Sequence, residues 1–216
     1  MFGILAIVLL GVAVFFWRPR KQKEEKQISS KLGDQLDKLW DISQKSIREK
    51  KYLRAEKALL TLLRVDERNA RAYSRLGVLY AKQHQYDDAI ECFEIAQSLQ
   101  PSASSLHNVG LIYYEIGKME KAAHAFEQAL EIEEDVASRH IAYAKVLEKE
   151  DRIKLVIKHL ERAVELEPNP QSVGLLADAL ERDGQQKRAE KMHLIAIKMV
   201  EKGNRSRVKQ PQKVNI

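Results

Sequence analysis

Small and aromatic residues recur along the chain at a fixed interval of 33 or 34 positions. Gly77, Tyr80, Ala89, Phe93 and Ala96 return 33 positions later as Gly110, Tyr113, Ala122, Phe126 and Ala129. The same register can be followed, more weakly, backwards to about residue 36 and forwards to about residue 203. A period of this length predicts stacked units of one structural type.

Turn signals divide each unit into two predicted helices. They lie at 84–88, 116–120, 149–152 and 182–186, while Pro101 separates two neighbouring units. Small residues on both sides of a turn allow two antiparallel helices to approach closely, and the aromatic or leucine positions fill the space between units. The pattern therefore predicts five helix–turn–helix units, at 36–69, 70–102, 103–136, 137–169 and 170–203.

A separate apolar run, 2–17, precedes the periodic region and is followed at once by arginines and lysines. As a helix it would reach about 24 Å, which is short for a hydrocarbon core of about 30 Å, although thinning and snorkelling can close the gap. We expect a membrane anchor at 1–17 and a basic, polar tether at 18–35. A cleaved secretion signal and a buried terminal helix remain alternatives.

Charge is concentrated outside the periodic region. The 216-residue chain carries a formal charge of +6, and its excess lies after the apolar run and in the tail 204–216, which we expect to be flexible. Because the periodic region is close to neutral, nucleic-acid binding is disfavoured. The cations after the apolar run predict a single-pass protein of the inner or plasma membrane, with the repeats on the cytoplasmic side.

The periodic region resembles the tetratricopeptide repeat family. The unit 70–102 matches that family's signature at Tyr73, Leu76, Gly77, Tyr80, Ala89, Phe93, Ala96 and Pro101. The next unit matches at most positions, and the first unit departs most, with Ser46 at the tyrosine position and Leu62 at the last alanine position. The resemblance implies an all-α, right-handed superhelix of about five repeats. With the apolar run, the expected architecture is this superhelix preceded by one transmembrane helix.

The same resemblance implies a concave groove that holds a peptide or a helix of a protein partner. The groove positions of the first helices are Trp40, Gln44, Ile47, Val78, His107, Leu111, Tyr114, Ile141 and Lys145. Trp40 and Tyr114 are the expected anchors, since aromatic residues dominate binding hot spots. The alternative for each of these side chains is internal packing.

Catalytic chemistry finds little support in the sequence. The six histidines are spread over different repeat positions. Two of them, His107 and His140, lie on adjacent first helices and could approach one another, but without a nearby carboxylate cluster they do not make a metal site. The single cysteine, Cys92, reads as a small buried apolar residue. No phosphate-binding glycine loop or hydrolase motif occurs, so we expect no enzyme activity, no metal and no cofactor.

These observations predict a membrane-anchored scaffold for protein–protein interaction. Three alternatives remain open: an exported repeat protein that assists envelope or pilus assembly, a noncatalytic subunit of an enzyme complex, and a self-assembling homo-oligomer. The partner, the pathway and the organism do not follow from the sequence.

Overall fold

A computed structural model describes residues 31–208 of the chain, and their side chains over 31–202. All regular structure in the described residues is α-helical. The helices are α1 (31–48), α2 (Tyr52–Val65), α3 (Ala70–Lys82), α4 (Tyr86–Leu99), α5 (Ala103–Glu115), α6 (Met119–Ile132), α7 (Ala137–Lys149), α8 (Ile153–Leu166), α9 (Pro170–Arg182) and α10 (Gln186–Val208).

The membrane anchor predicted at 1–17 lies outside the described residues, as does the tether up to residue 30. Residues 31–35, which the sequence had placed in the tether, belong to α1. Among the helices of 31–208, none combines the length and the apolar character that crossing a bilayer requires.

The chain divides into two compact units, one ending at Leu79 and the other beginning at Tyr80. In the first unit, small and aliphatic side chains are buried: Ser43 and Ser46 in α1, Ala55, Ala58, Leu59 and Leu62 in α2, and Ala72, Leu76 and Leu79 in α3. The Ser43 hydroxyl donates to the carbonyl of Trp40 at 2.7 Å, which satisfies its polar atom inside the helix.

In the second unit each helix packs against the next along the chain. The pairs α5–α6, α7–α8 and α9–α10 are antiparallel partners, and α4–α5, α6–α7 and α8–α9 join neighbouring pairs. A continuous core runs from α6 to α10, with Tyr113 and Tyr114 of α5 packed against it, and includes Phe126, Leu147, Leu160, Leu176 and Leu180. Each pair thus covers an apolar face that its neighbour would otherwise leave in water.

Close approach of two helices explains one recurring glycine. A Cβ atom at Gly110 of α5 would lie 2.9 Å from Cζ and 3.0 Å from Cε1 of Phe126 in α6. Phe126 is fully buried, so its ring has little room to move. A side chain larger than hydrogen at this crossing would therefore force the Phe126 ring or the helices to shift.

The turn inside each repeat contains one residue with a left-handed backbone. These residues are Lys50, His84, Gly117, Asp151 and Gly184, with φ between 58° and 77°. Their spacing of 33 or 34 positions follows the period of the sequence. Only two of the five are glycine, although this conformation costs other residues free energy.

Candidate docking surface

Five predicted groove residues lie on two neighbouring first helices of the second unit. We call them the first-helix strip: His107, Leu111 and Tyr114 of α5, and Ile141 and Lys145 of α7. Helices α5 and α7 approach each other directly. The strip therefore draws on two successive repeats.

The strip exposes apolar surface at its centre. Leu111 is 42% exposed. Lys145 of α7, at the equivalent position one repeat later, is also exposed. Tyr114 and Ile141 are half-buried and pack against the core of the second unit. Because the core already holds these two half-buried side chains in place, they can contact a partner with little further loss of conformational entropy.

His107 is turned further inwards than the sequence predicted. Its ring lies edge-on to Phe126, with a centroid distance of 5.4 Å. Its Nδ1 atom is buried and has no hydrogen-bond partner among the described residues. Burial lowers the pKa of His107, and the nearby Arg139 guanidinium adds to this effect. His107 is thus a neutral side chain with one unsatisfied polar atom.

The groove positions that follow along α7 and α9 carry charged residues. Glu148 of α7 forms an ion pair with Arg182 of α9. His193 of α10 lies 3.9 Å from Asp178 and 3.7 Å from Glu181 of α9. The apolar part of the surface is therefore restricted to α5 and the start of α7.

The four groove residues predicted in the first unit have different environments. Trp40 is half-buried, and the Arg71 guanidinium carbon lies 4.4 Å from the centre of its ring, a cation–π contact. Gln44 is exposed and Val78 is half-buried. Ile47 is only 8% exposed, so it cannot meet a partner without a rearrangement. It is a packing residue rather than a surface contact.

A polar cluster that the sequence did not predict joins α7 and α8. The Nδ1 atoms of His140 and His159 are 2.9 Å apart, and His140 Nε2 is 2.8 Å from the carbonyl oxygen of Glu134. Because a carbonyl only accepts, Nε2 of His140 carries the proton and its Nδ1 accepts from Nδ1–H of His159. The Tyr143 hydroxyl donates to Glu127 in the same cluster.

Burial lowers the pKa of both histidines, that of His159 to about 4, with His140 as the second cause. The pair is therefore neutral at pH 7. The sequence had suggested that His107 and His140 could approach each other, but the structure pairs His140 with His159. His140 stands at the signature position that Tyr73 fills in the unit 70–102, but that position asks only for a large side chain, and His159 lies at a position that the signature does not mark, so the signature could not indicate the contact.

Within residues 31–202, no group of three or more histidine, cysteine, aspartate or glutamate side chains could hold a metal ion. Cys92 is buried. Burial, with help from Glu91 and Asp88, raises the pKa of its thiol to about 11. A thiol in this state is a poor nucleophile at neutral pH.

Comparison with known proteins supports the repeat assignment. Residues 68–135 match the family model described as tetratricopeptide repeat. The chain is 32% identical over 112 residues to human Tetratricopeptide repeat protein 21A, a match covering 48% of this chain and 8% of that protein. It is 30% identical over 141 residues to the chloroplastic Tetratricopeptide repeat domain-containing protein PYG7 of Arabidopsis thaliana, covering 59% and 47% of the two chains.

Solved structures show the same fold. The crystal structure of MamA protein superposes with a TM-score of 0.67 at 21% identity, covering 80% of this chain and 96% of that one. The structure of YrrB, described as a TPR protein with an unusual peptide-binding site, gives a TM-score of 0.60 at 17% identity, covering 73% and 82%.

The chain spans less than half the length of either curated relative. The solved structures share its fold at low sequence identity. The family match assigns residues 68–135 to the tetratricopeptide repeat, and the solved structures show that the chain has an all-α, TPR-like fold.

Proposed function

We propose that this protein is a noncatalytic scaffold that binds an extended peptide or a helix of a protein partner on the first-helix strip. The observation that carries the proposal is the exposure of Leu111 between two half-buried groove residues, Tyr114 and Ile141. Exposed apolar side chains grouped in this way mark interaction sites more often than solitary ones do. Tyr114 is the anchor of the strip, since aromatic residues dominate binding energy.

His107 limits how deeply a partner can enter the strip. Nδ1 of His107 is buried without a hydrogen-bond partner among the described residues, so a bound segment cannot reach this atom without a rearrangement. The partner therefore contacts the strip through an apolar side chain over Leu111.

Photo-crosslinking tests the docking surface. The full chain is produced in its host with benzoylphenylalanine in place of Leu111, and in a matched control in place of Ile132, which is also exposed but lies on α6. We expect one crosslinked protein from position 111 that position 132 does not give. The same products from both positions, or none from position 111, would contradict the proposal.

We also propose that residues 2–17 anchor the protein in the inner or plasma membrane, with the repeats in the cytoplasm. The support is the apolar run itself and the arginines and lysines that follow it. Deleting 2–17 should move the protein from the membrane fraction to the soluble fraction. If the intact mass of the membrane-extracted protein lacks this run, it is a cleaved signal instead.

A further inference from the structure

A groove outside the first-helix strip lies between two second helices, α4 and α6, with α5 beneath. We call it the second-helix groove, and its volume is about 670 Å³. Leu106 and Val109 of α5 and Ala125 of α6 line it, and Glu94 of α4 lies at its side. None of these residues belongs to the first-helix strip.

The repeat provides an internal comparison. One repeat later, α6, α7 and α8 form an equivalent groove of about 770 Å³. At the equivalent positions 34 residues later, His140 stands in place of Leu106 and His159 in place of Ala125. The two histidines hydrogen-bond each other there. The later groove thus has a polar floor whose groups bond internally, whereas the second-helix groove has an apolar floor.

The same comparison distinguishes the Glu94 carboxylate from its equivalent one repeat later. Glu94 corresponds to Glu127, 33 positions later, and Glu127 accepts a hydrogen bond from Tyr143. Tyr143 corresponds to Val109, which has no hydroxyl to offer. Glu94 therefore lacks the donor that its equivalent has, and it lies beside an apolar floor.

The other charges at the groove do not neutralise Glu94. Glu94 and Glu120, both lining residues, form no ion pair with another described residue. The ammonium of Lys121 lies 5.6 Å from the centre of the Tyr113 ring and pairs with neither carboxylate. The groove thus offers apolar surface together with two available negative charges.

We propose that the second-helix groove binds a protein segment in which a large apolar side chain stands next to arginine or lysine. The apolar side chain covers Leu106 and Val109, and the cation pairs with Glu94. The segment thus supplies the donor that Tyr143 supplies in the following repeat. A charge-assisted hydrogen bond beside an apolar floor is stronger than one in open water.

Fluorescence anisotropy of a defined probe on the full chain tests this proposal. The probe is a labelled nonapeptide with one central tryptophan, an arginine on each side of it, and glycine and serine elsewhere. Two control probes replace the tryptophan with serine or both arginines with glutamate. We expect the first probe to bind at least about tenfold more tightly than either control.

Variants of the chain locate the probe. Glu94→Lys should weaken its binding by about tenfold or more, whereas Glu131→Lys, in the later groove, should leave it unchanged. Leu111→Ala should also leave it unchanged, because the first-helix strip is a different surface. Ala125→Phe, with helicity checked by circular dichroism, should block the floor and weaken binding even if Glu94→Lys does not fold.

Each of the following results would overturn the proposal. They are no binding of the tryptophan probe at millimolar concentration, equal binding of either control probe, and unchanged binding by folded Glu94→Lys or folded Ala125→Phe. Loss of binding in Leu111→Ala would place the probe on the first-helix strip and would equally contradict it.

Discussion

At the scale of single residues, two helical glycines have opposite environments. A Cβ atom at Gly110 would meet the ring of Phe126 at 2.9 Å, while one at Gly174 would meet nothing within 4 Å. Alanine is a better helix former than glycine by up to about 1 kcal/mol. Overpacking a core costs about 1–3 kcal/mol. On replacement by alanine, the clash therefore determines the change in the free energy of unfolding at Gly110, and the helix propensity determines it at Gly174.

Gly110→Ala should therefore destabilise the protein by about 1–2 kcal/mol, and Gly174→Ala should stabilise it by about 0.5–1 kcal/mol. Urea unfolding followed by circular dichroism measures both changes. If Gly110→Ala leaves the midpoint unchanged or raises it, the close contact between Gly110 and Phe126 does not control the packing of α5 on α6.

The turn residues give a second prediction at this scale. Lys50 has a φ of 58° and Gly184 a φ of 77° at equivalent turns. The left-handed backbone costs a residue with a Cβ about 1–2 kcal/mol, part of which the greater freedom of glycine in the unfolded chain offsets. Lys50→Gly should stabilise by about 0.5 kcal/mol and Gly184→Lys should destabilise by about 1 kcal/mol in the same unfolding assay. A loss of stability in Lys50→Gly, or no loss in Gly184→Lys, would refute the assignment of strain.

At the scale of helices, the His140–His159 contact ties α7 to α8 while Nδ1 of His140 is free to accept a hydrogen bond, and burial makes a positive charge on either ring costly. The folded pKa of His159 is about 4 and that of His140 is also lowered, whereas unfolded histidine titrates near its ordinary value of about 6.5. The unfolded chain binds more protons, so the stability from this pair is full above about pH 6.5 and is lost as the pH falls towards 4.

His159→Gln should therefore lose less stability than the wild type between pH 7.5 and pH 5. The comparison is the urea midpoint of each protein at both pH values, with His124→Gln as a control at an exposed histidine of α6. An equal loss in wild type and His159→Gln would show that the pair does not titrate as described.

Sequence could predict the helices but not this cluster, for a physical reason. The recurring residues Ala89, Phe93, Ala122 and Phe126 are buried, and burial is what restricts those positions to small or aromatic side chains. His140 and His159 occupy positions that Leu106 and Ala125 fill one repeat earlier. The first of these positions carries Tyr73, Leu106 and His140 in successive units, so its periodic signal marks a large side chain and does not predict a polar contact.

At the scale of the whole molecule, the all-α, TPR-like fold predicted from the 33- or 34-residue period is confirmed. The candidate surface follows less directly from the sequence. Repeat position fixes the helix face on which a residue lies, but neighbouring side chains decide how deeply it is covered. Ile47 is buried and His107 packs on Phe126, while Leu111 at an equivalent kind of position stays exposed.

The scaffold proposal is tested most directly by a binding measurement with the partner that crosslinks from position 111. This partner is purified, and its affinity is measured for the wild type and for three variants of the full chain. Leu111→Ala and Tyr114→Ala should each weaken binding by about tenfold or more, as expected for truncated hot-spot residues. Ile132→Ala, an equally exposed apolar side chain on α6, should bind like the wild type. Unchanged affinity in folded Leu111→Ala and Tyr114→Ala, or an equal loss in Ile132→Ala, would contradict docking on the first-helix strip.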